Sequence, residues 1–398
     1  MRRPLVGALV AVALFATSCA KRGAAPGPEV VLWTPWPVEA VEPLARAYES
    51  EAGGVRVRVV ARPVALADSL LAAIAAGTPP DLCVLDDAEV PALLAREALT
   101  DWSAGVADLR AGLRGWDLCR VGDALYGLPL RLRPQVLVVH PGTLARLGRT
   151  SPPATLSDLR ALATRRTARG PHVLGLPSAD SGVAVRAVLP WAWGAGGVLP
   201  ASPHDTLRFA ATGNVEAIAA LATLGAGLLV ASEDSLASEF VAGRLAMVVA
   251  DPTFLARLER LAPRLEPVVA AVPGAPSVTV LGGDVLAGVA SGRRREDALR
   301  LARYLADPSR ALALATALRS APPAFVGADT TDWYRRRPAQ VTLLAQVGTA
   351  RALPRAAGWA GVEGAMSRDL LDALAGRVAA AEVVARLDSV LARPWGAR

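Results

Sequence analysis

Histidine, cysteine, methionine and lysine are nearly missing from this chain of 398 residues, which holds three His, three Cys, three Met and, as its one lysine, Lys21. His140, His172 and His204 stand too far apart for metal-ligand spacing, so no metal centre is expected. There is no G-x-S-x-G elbow, no G-x-x-x-x-G-K-[ST] phosphate loop and no H-E-x-x-H helix, and Gly194–Gly197 does not extend to a full G-x-G-x-x-G. These absences remove the common hydrolase, nucleotide-binding and metalloprotease readings, and no cofactor is expected. The only long apolar run lies at the N-terminus, so no internal segment crosses a membrane.

What is present is a hydrophobic content of 53% and a mean hydropathy of +0.35, which fit packed globular lobes rather than disorder. The length allows two or more lobes, each with its own core. Formal charge is +7, and +5 once Arg2 and Arg3 leave with the segment described next. The arginines are scattered among acidic residues, apart from Arg293–Arg295 and Arg335–Arg337. A nucleic-acid binder concentrates them on one face among aromatics, so no nucleic-acid partner is expected.

Arg2-Arg3, then the apolar stretch Leu5–Ala16, form an export signal too short to span as a folded helix. Ala16-Thr17-Ser18-Cys19 resembles the lipobox of bacterial lipoproteins, with Ala where Leu is more typical. That makes 1–18 a signal peptide, Cys19 a lipidated N-terminus and 19–28 a Gly/Ala/Pro-rich tether. An ordinary signal peptide that happens to precede a cysteine is the alternative. Outside the cytoplasm Cys83 and Cys119 are permitted a disulfide, yet Cys83 on a buried strand serves equally as a small hydrophobe.

The chain is organised around 70–87. Leu70, Leu71, Ile74 and Ala75 make an apolar helical stripe, Gly77 stops it, and Thr78-Pro79-Pro80 prevents its return. Leu82–Leu85 reads as a buried strand ending in Asp86-Asp87, where ligands sit in open α/β sheets. The same two aspartates could instead cap a helix at 88–96. As neighbours in sequence they are poorly placed for paired acid–base catalysis, and no enzyme activity is expected. Before this stretch, 29–33 and 55–61 read as strands flanking a helix that must accommodate Pro43. Trp33 reads as core and Trp36, on a loop, as a ligand candidate. After it, Gly122-Asp123 marks a hairpin, and 130–140 continues as a strand with Arg131 and Arg133 on one face. Both arginines either enter a cleft or pair with surface acids. Thr155 to Asp158 opens a helix running to about 168, 173–177 is a strand, 215–229 a helix, and 245–250 a strand. Strand 278–290 contains Gly282-Gly283-Asp284, and helices follow at 294–306, 308–318, 362–374 and 380–391.

Several of these segments together resemble the family 1 extracellular solute-binding proteins, the sugar-capturing components of ABC importers related to maltose-binding protein. The carriers are LWTPWPVEAVEPLARAYE, AAGTPPD, VGDALYGLP, AVLPWAWGAGG, SLASEFVAGRLAMVVADP, VTVLGGDVLAGVA, SAPP and Leu353-Pro354-Arg355 with Trp359, in the family's order over residues 29–395. The chain departs from the pattern where Asp251 replaces a glycine, and Thr253 and Asp284 replace tryptophans that commonly stack on sugar.

The resemblance implies a two-lobed α/β fold of the type II periplasmic-binding-protein kind. Lobe 1 would comprise 29–132 and 275–322, lobe 2 would comprise 133–274 and 323–398, and the cleft between them would close by hinge motion. It implies a ligand site drawn from Trp36, Asp86, Asp87, Arg131, Arg133, Trp193, Asp251, Gly283, Asp284, Arg355 and Trp359. Tryptophan offers a flat apolar face suited to a sugar ring, and the chain has nine. The expected function is a lipid-anchored, monomeric receptor that passes a carbohydrate to an ABC permease. Arg131 and Arg133 favour a polyol or glycerol-phosphate ligand as the alternative, and a ligand-sensing lipoprotein without transport is another.

Overall fold

The computed structural model describes residues 28–62, 66–177, 183–319, 321–356 and 358–395. The expected signal peptide, Cys19 and nearly all of the tether lie outside the described residues. Thirteen strands are described: β1 Glu29–Thr34, β2 Arg56–Ala61, β3 Leu82–Asp86, β4 Arg120–Val121, β5 Ala124–Leu125, β6 Leu128–Pro134, β7 Val136–Val139, β8 His172–Pro177, β9 Leu228–Ala231, β10 Leu245–Ala250, β11 Val268–Ala270, β12 Val280–Gly288 and β13 Arg351–Ala352. They form two large sheets and a hairpin. The first sheet runs β13-β12-β3-β1-β2, with β6 also on β12, and the second runs β11-β7-β10-β8-β9.

Local chemistry explains the framework. The helix Leu66–Ala75 buries Leu66 and Leu70 and ends before Gly77, whose φ of +71° suits only glycine well. β3 follows with Leu82 through Leu85 buried, between β1 and β12. In the β4–β5 hairpin Gly122 takes φ +58°. Thr155 and Asp158 form a reciprocal capping box for the helix Leu156–Arg165. Pro43 does not delay its helix, which runs Val38–Ala52 with the proline inside.

Three sequence expectations change. The strand expected over 130–140 is two strands in two different sheets, β6 and β7, with the chain passing from one lobe to the other at Gln135. The helix expected over 215–229 spans Thr212–Ala222, and Leu228–Ala231 joins the second sheet beside β8. The helix after Asp87 is only Val90–Leu94. Extended residues on both sides of Pro134-Gln135 read as one strand, and the change of sheet depends on pairing with distant strands.

Each sheet has its own core. The first gathers Leu32, Trp33, Leu70, Leu85, Leu286 and Leu301, and the second gathers Leu137, Leu174, Trp191, Met247, Trp359 and Leu387. Ala324, Phe325, Tyr334, Leu344 and Val347 also pack in the first core, while Leu343 packs with Val136, Val138 and Phe254 on the other face of the second sheet. We therefore propose lobe boundaries that give residues 133–134, at the end of β6, and most of 324–347 to the first lobe, not to the second as the sequence division had them.

Three crossings lie side by side: the β6–β7 junction, the approach to β12, and β13. Gln135 N–H donates to the Val280 carbonyl at 3.0 Å, and Arg351 N–H donates to the Thr279 carbonyl at 2.8 Å. The fully buried Thr279 hydroxyl donates to the Gln135 carbonyl at 2.7 Å. A Thr279→Val variant keeps the shape and leaves that carbonyl without its hydroxyl partner. It is expected to lower the unfolding free energy by about 1–3 kcal/mol, read as a lower urea midpoint. An unchanged midpoint would show that this bond does not stabilise the crossing.

Candidate functional site

Strand register assembles one wall of the crevice. β12 lies antiparallel between β3 and β6, so Asp284 stands opposite Asp86 on one side and Arg131 on the other, and Gly282 stands opposite Arg133. Arg131 donates to the Asp284 carboxylate at 2.8 and 2.7 Å, with both side chains buried. Arg133 donates to Asp86 and lies 3.8 Å from Asp284. The second lobe supplies the facing wall. Asp251, at the end of β10, caps the helix Pro252–Leu261 by accepting from Thr253 N–H at 2.7 Å. It also meets Arg133 of the first lobe at 3.4 Å. Burial lowers the Arg133 pKa, but Asp86, Asp284, Asp251 and Asp87 outweigh it and the guanidinium is held well above its ordinary value.

Between these walls is a cavity of about 430 Å³, lined by Trp36, Arg62, Asp86, Glu89, Arg131, Arg133 and Asp284 from the first lobe and by Thr253, Arg257 and Arg260 from the second. Trp36 is available only in part, because the Arg131 guanidinium lies 4.4 Å from its ring centre and covers one face. Asp86 has 40% of its side chain exposed. It is the carboxylate there with room to accept from a ligand hydroxyl.

Asp87 does something else. It is 0% exposed and accepts hydrogen bonds from Arg355, from Arg186 at 3.1 and 3.2 Å, and from Gly283 N–H at 2.8 Å. Arg355 also donates to the Asp87 carbonyl at 3.0 Å, and Arg186 reaches Glu363 at 3.3 Å. Arg186 and Glu363 sit on the helices Val183–Gly194 and Trp359–Leu374 of the second lobe. Burial pushes the Asp87 carboxyl up, but Arg186, Arg355 and Arg133 and the Gly283 N–H pull harder, and it is held well below the usual carboxylate range. At Glu363 burial wins, and its pKa is raised.

The candidate residues therefore divide. Trp36, Asp86, Arg131, Arg133 and Asp284 line the cavity, and Asp251 touches Arg133 at its edge. Asp87 and Arg355 are buried against each other behind the wall. A Cβ on Gly283 would come within 2.4 Å of Leu118 Cδ1 and 2.6 Å of the Arg131 carbonyl, so this glycine makes room for its own sheet, not for a ligand. Trp193 and Trp359 belong to the second core. Trp359 packs on Trp395 with ring centres 5.2 Å apart, and the cavity is lined by neither tryptophan. Residue-by-residue reading missed Arg62, Glu89, Arg186, Arg257, Arg260 and Glu363. Arg186 had a visible signal, a lone charge in the apolar run VAVRAVLPWAWG. Cys83 and Cys119 are both free thiols, and burial pushes the Cys119 thiol up to about 12. Among the described residues no cluster of three His, Cys, Asp or Glu is placed to hold a metal ion, and no helix is long and apolar enough to cross a membrane.

Two sheet-based lobes, three adjacent crossings and a polar crevice between the lobes define a binding protein of the two-lobed periplasmic type. The chain belongs to the bacterial extracellular solute-binding protein family, whose model matches residues 43–342. A comparison with curated proteins finds no match. Among solved structures, the GacH receptor of Streptomyces glaucescens, determined unliganded and with acarbose, has a TM-score of 0.79 at 18% identity, covering 92% of this chain and 99% of that one. The sugar-binding protein MalE from Xanthomonas citri has a TM-score of 0.78 at 19% identity over 92% and 96%. UgpB from Mycobacterium tuberculosis, in complex with glycerophosphocholine, has a TM-score of 0.77 at 18% identity over 92% and 98%. At these identities the likeness is one of fold.

The buried cluster yields a test with a defined sign. Because the folded pKa of Asp87 lies below its unfolded value of about 3.9, its contribution is present above that pH and is lost as pH falls toward the folded value. Asp87→Asn leaves the guanidiniums without their central charge and is expected to cost about 3–5 kcal/mol at neutral pH. The gap from the wild type should shrink below about pH 4. Urea unfolding at neutral and acid pH reads both, and equal stability of the two proteins at pH 7 would contradict the assignment.

Proposed function

We propose that this protein captures a small hydroxyl-rich solute of the carbohydrate class between its lobes and delivers it to the permease of an ABC importer. The observation that carries this reading is the interlobe cavity of about 430 Å³, walled by both lobes and rich in fixed hydrogen-bonding groups. A site of that kind binds a hydroxylated molecule by many directional contacts, and closure about adjacent crossings completes them. The sugar complexes of fold relatives such as GacH support the ligand class. The protein acts as a monomer outside the cytoplasm, held to the membrane by lipid on Cys19, and catalyses no reaction on its solute. The cavity carboxylates fit that last point, since Asp86 and Asp284 are each engaged by an arginine.

Thermal unfolding of the purified protein with a panel of mono- and disaccharides and polyols tests the binding. A compound at about 100 times its dissociation constant should stabilise by about 2.7 kcal/mol and raise the melting temperature measurably. No shift with any compound would count against a carbohydrate receptor. The anchor has its own test: cells fed labelled palmitate should label the wild type, and Cys19→Ala should be unlabelled and leave the membrane fraction. Label persisting on Cys19→Ala would overturn the lipobox reading.

A further inference from the structure

Arg131 and Arg133, the two arginines that suggest a charged ligand in the sequence, are already matched by Asp284, Asp86 and Asp251. Arg257 is likewise taken up, by Asp234 and by Glu233 at 3.6 Å. Two other guanidiniums in the same cavity are differently placed. Arg62 follows β2 on the first lobe; its guanidinium lies 4.7 Å from the Trp33 ring centre and donates to the Ala61 carbonyl at 3.2 Å. Arg260 is exposed in the last turn of the helix Pro252–Leu261 on the second lobe. Both line the cavity, and among the described residues neither has a carboxylate within 4.0 Å. The cavity's own acids are each engaged elsewhere, and only Asp86, 40% exposed, keeps room for a ligand hydroxyl. Asp284 and Asp86 are held by arginines, and Glu89 accepts from Ala67 N–H at 2.9 Å and Asp86 N–H at 3.0 Å.

We propose that the solute carries a negative group, a phosphate or carboxylate on a hydroxylated small molecule, and that Arg62 and Arg260 hold this group from opposite lobes. The proposal rests on the receptor reading above. A guanidinium presents a rigid fork of donors that matches carboxylate and phosphate oxygens, and the Trp33 face keeps that of Arg62 oriented. Without an anion, closure brings two like charges toward each other across the crevice. An anion between them turns the repulsion into attraction, so closure on a neutral sugar is disfavoured while closure on a charged one is promoted. Hydroxyls of the same molecule then fall to Asp86 and Thr253.

Calorimetric titration with matched neutral and charged compounds tests this: glucose against glucuronate and glucose 6-phosphate, and glycerol against glycerol 3-phosphate. The charged member is expected to bind at least about tenfold more tightly at low salt, with the preference shrinking as sodium chloride rises from about 0.01 to about 0.3 M. Arg62→Gln and Arg260→Gln should each bring the charged-to-neutral ratio toward one. The unliganded melting temperature of Arg260→Gln should stay at the wild-type value, whereas Arg62→Gln also loses its contacts with Trp33 and the Ala61 carbonyl, so its binding ratio is read beside its own melting curve. If neutral members bind as well as charged ones, or if both variants keep the wild-type preference, the proposal is overturned and the receptor reading stands. If no charged member of any pair binds while a neutral sugar of the wider panel does, the proposal is likewise overturned and the receptor reading stands.

Discussion

A carboxylate with no access to water, surrounded by guanidiniums, is the constraint on which the rest of the structure depends. Asp87 is fully buried, and taking such a group out of water is tolerable only if every lone pair is matched. The matching comes from three directions: Gly283 on the neighbouring strand, Arg355 just after β13, and Arg186 on a helix of the other lobe. One side chain of the first lobe therefore fixes where the second lobe can sit. The Arg133–Asp251 contact adds a second tie across the crevice at 3.4 Å.

The same accounting decides what the crevice can recognise. Most of its charges answer to each other, so they set the shape and polarity of the walls more than they attract a ligand. Arg131 illustrates this. It is held by Asp284 on one side and lies over Trp36 on the other, and so it removes a stacking face that the tryptophan offered. The two missing stacking tryptophans, at Thr253 and Asp284, are thus accompanied by a third that is half covered. The cavity walls therefore present hydrogen-bonding and charged groups more than aromatic platforms.

Much of the fold was legible in the sequence because it is written in local chemistry. Gly77 with its proline pair, the Gly122 hairpin and the Thr155–Asp158 capping box each depend on a few adjacent residues and appear as expected. The order of motifs was legible as well, and it led to the family. What stayed hidden depends on distant pairing. The chain changes sheet at Gln135 although the strands on either side are both largely buried, and the only local mark of the junction is Pro134. Asp86 and Asp87 are alike in sequence, yet one opens on the cavity and the other is sealed behind it. Only the alternation of a strand end against β12 separates them. Trp193 and Trp359 were drawn to the ligand by resemblance, and each instead fills the second core.

The position of β12 has a consequence for the order in which the molecule is made. This strand lies between β3 and β6, and β6 has no other partner in its sheet. Yet the residues it joins are far apart along the chain, with Asp284 beside Asp86 and Leu281 beside Pro134. Emerging from a ribosome or a translocation pore, the first lobe thus has its opening strands long before the one that unites them. During that interval β3 and β6 present unpaired edges and apolar faces, the condition in which a chain associates wrongly or is held by a chaperone. Closing so long a loop is slow for entropic reasons. The second sheet, whose strands all lie between Val136 and Ala270, can be complete first. Its core still waits for the last helices, which bring Trp359 and Leu387, so each lobe is completed by chain made after β12 begins.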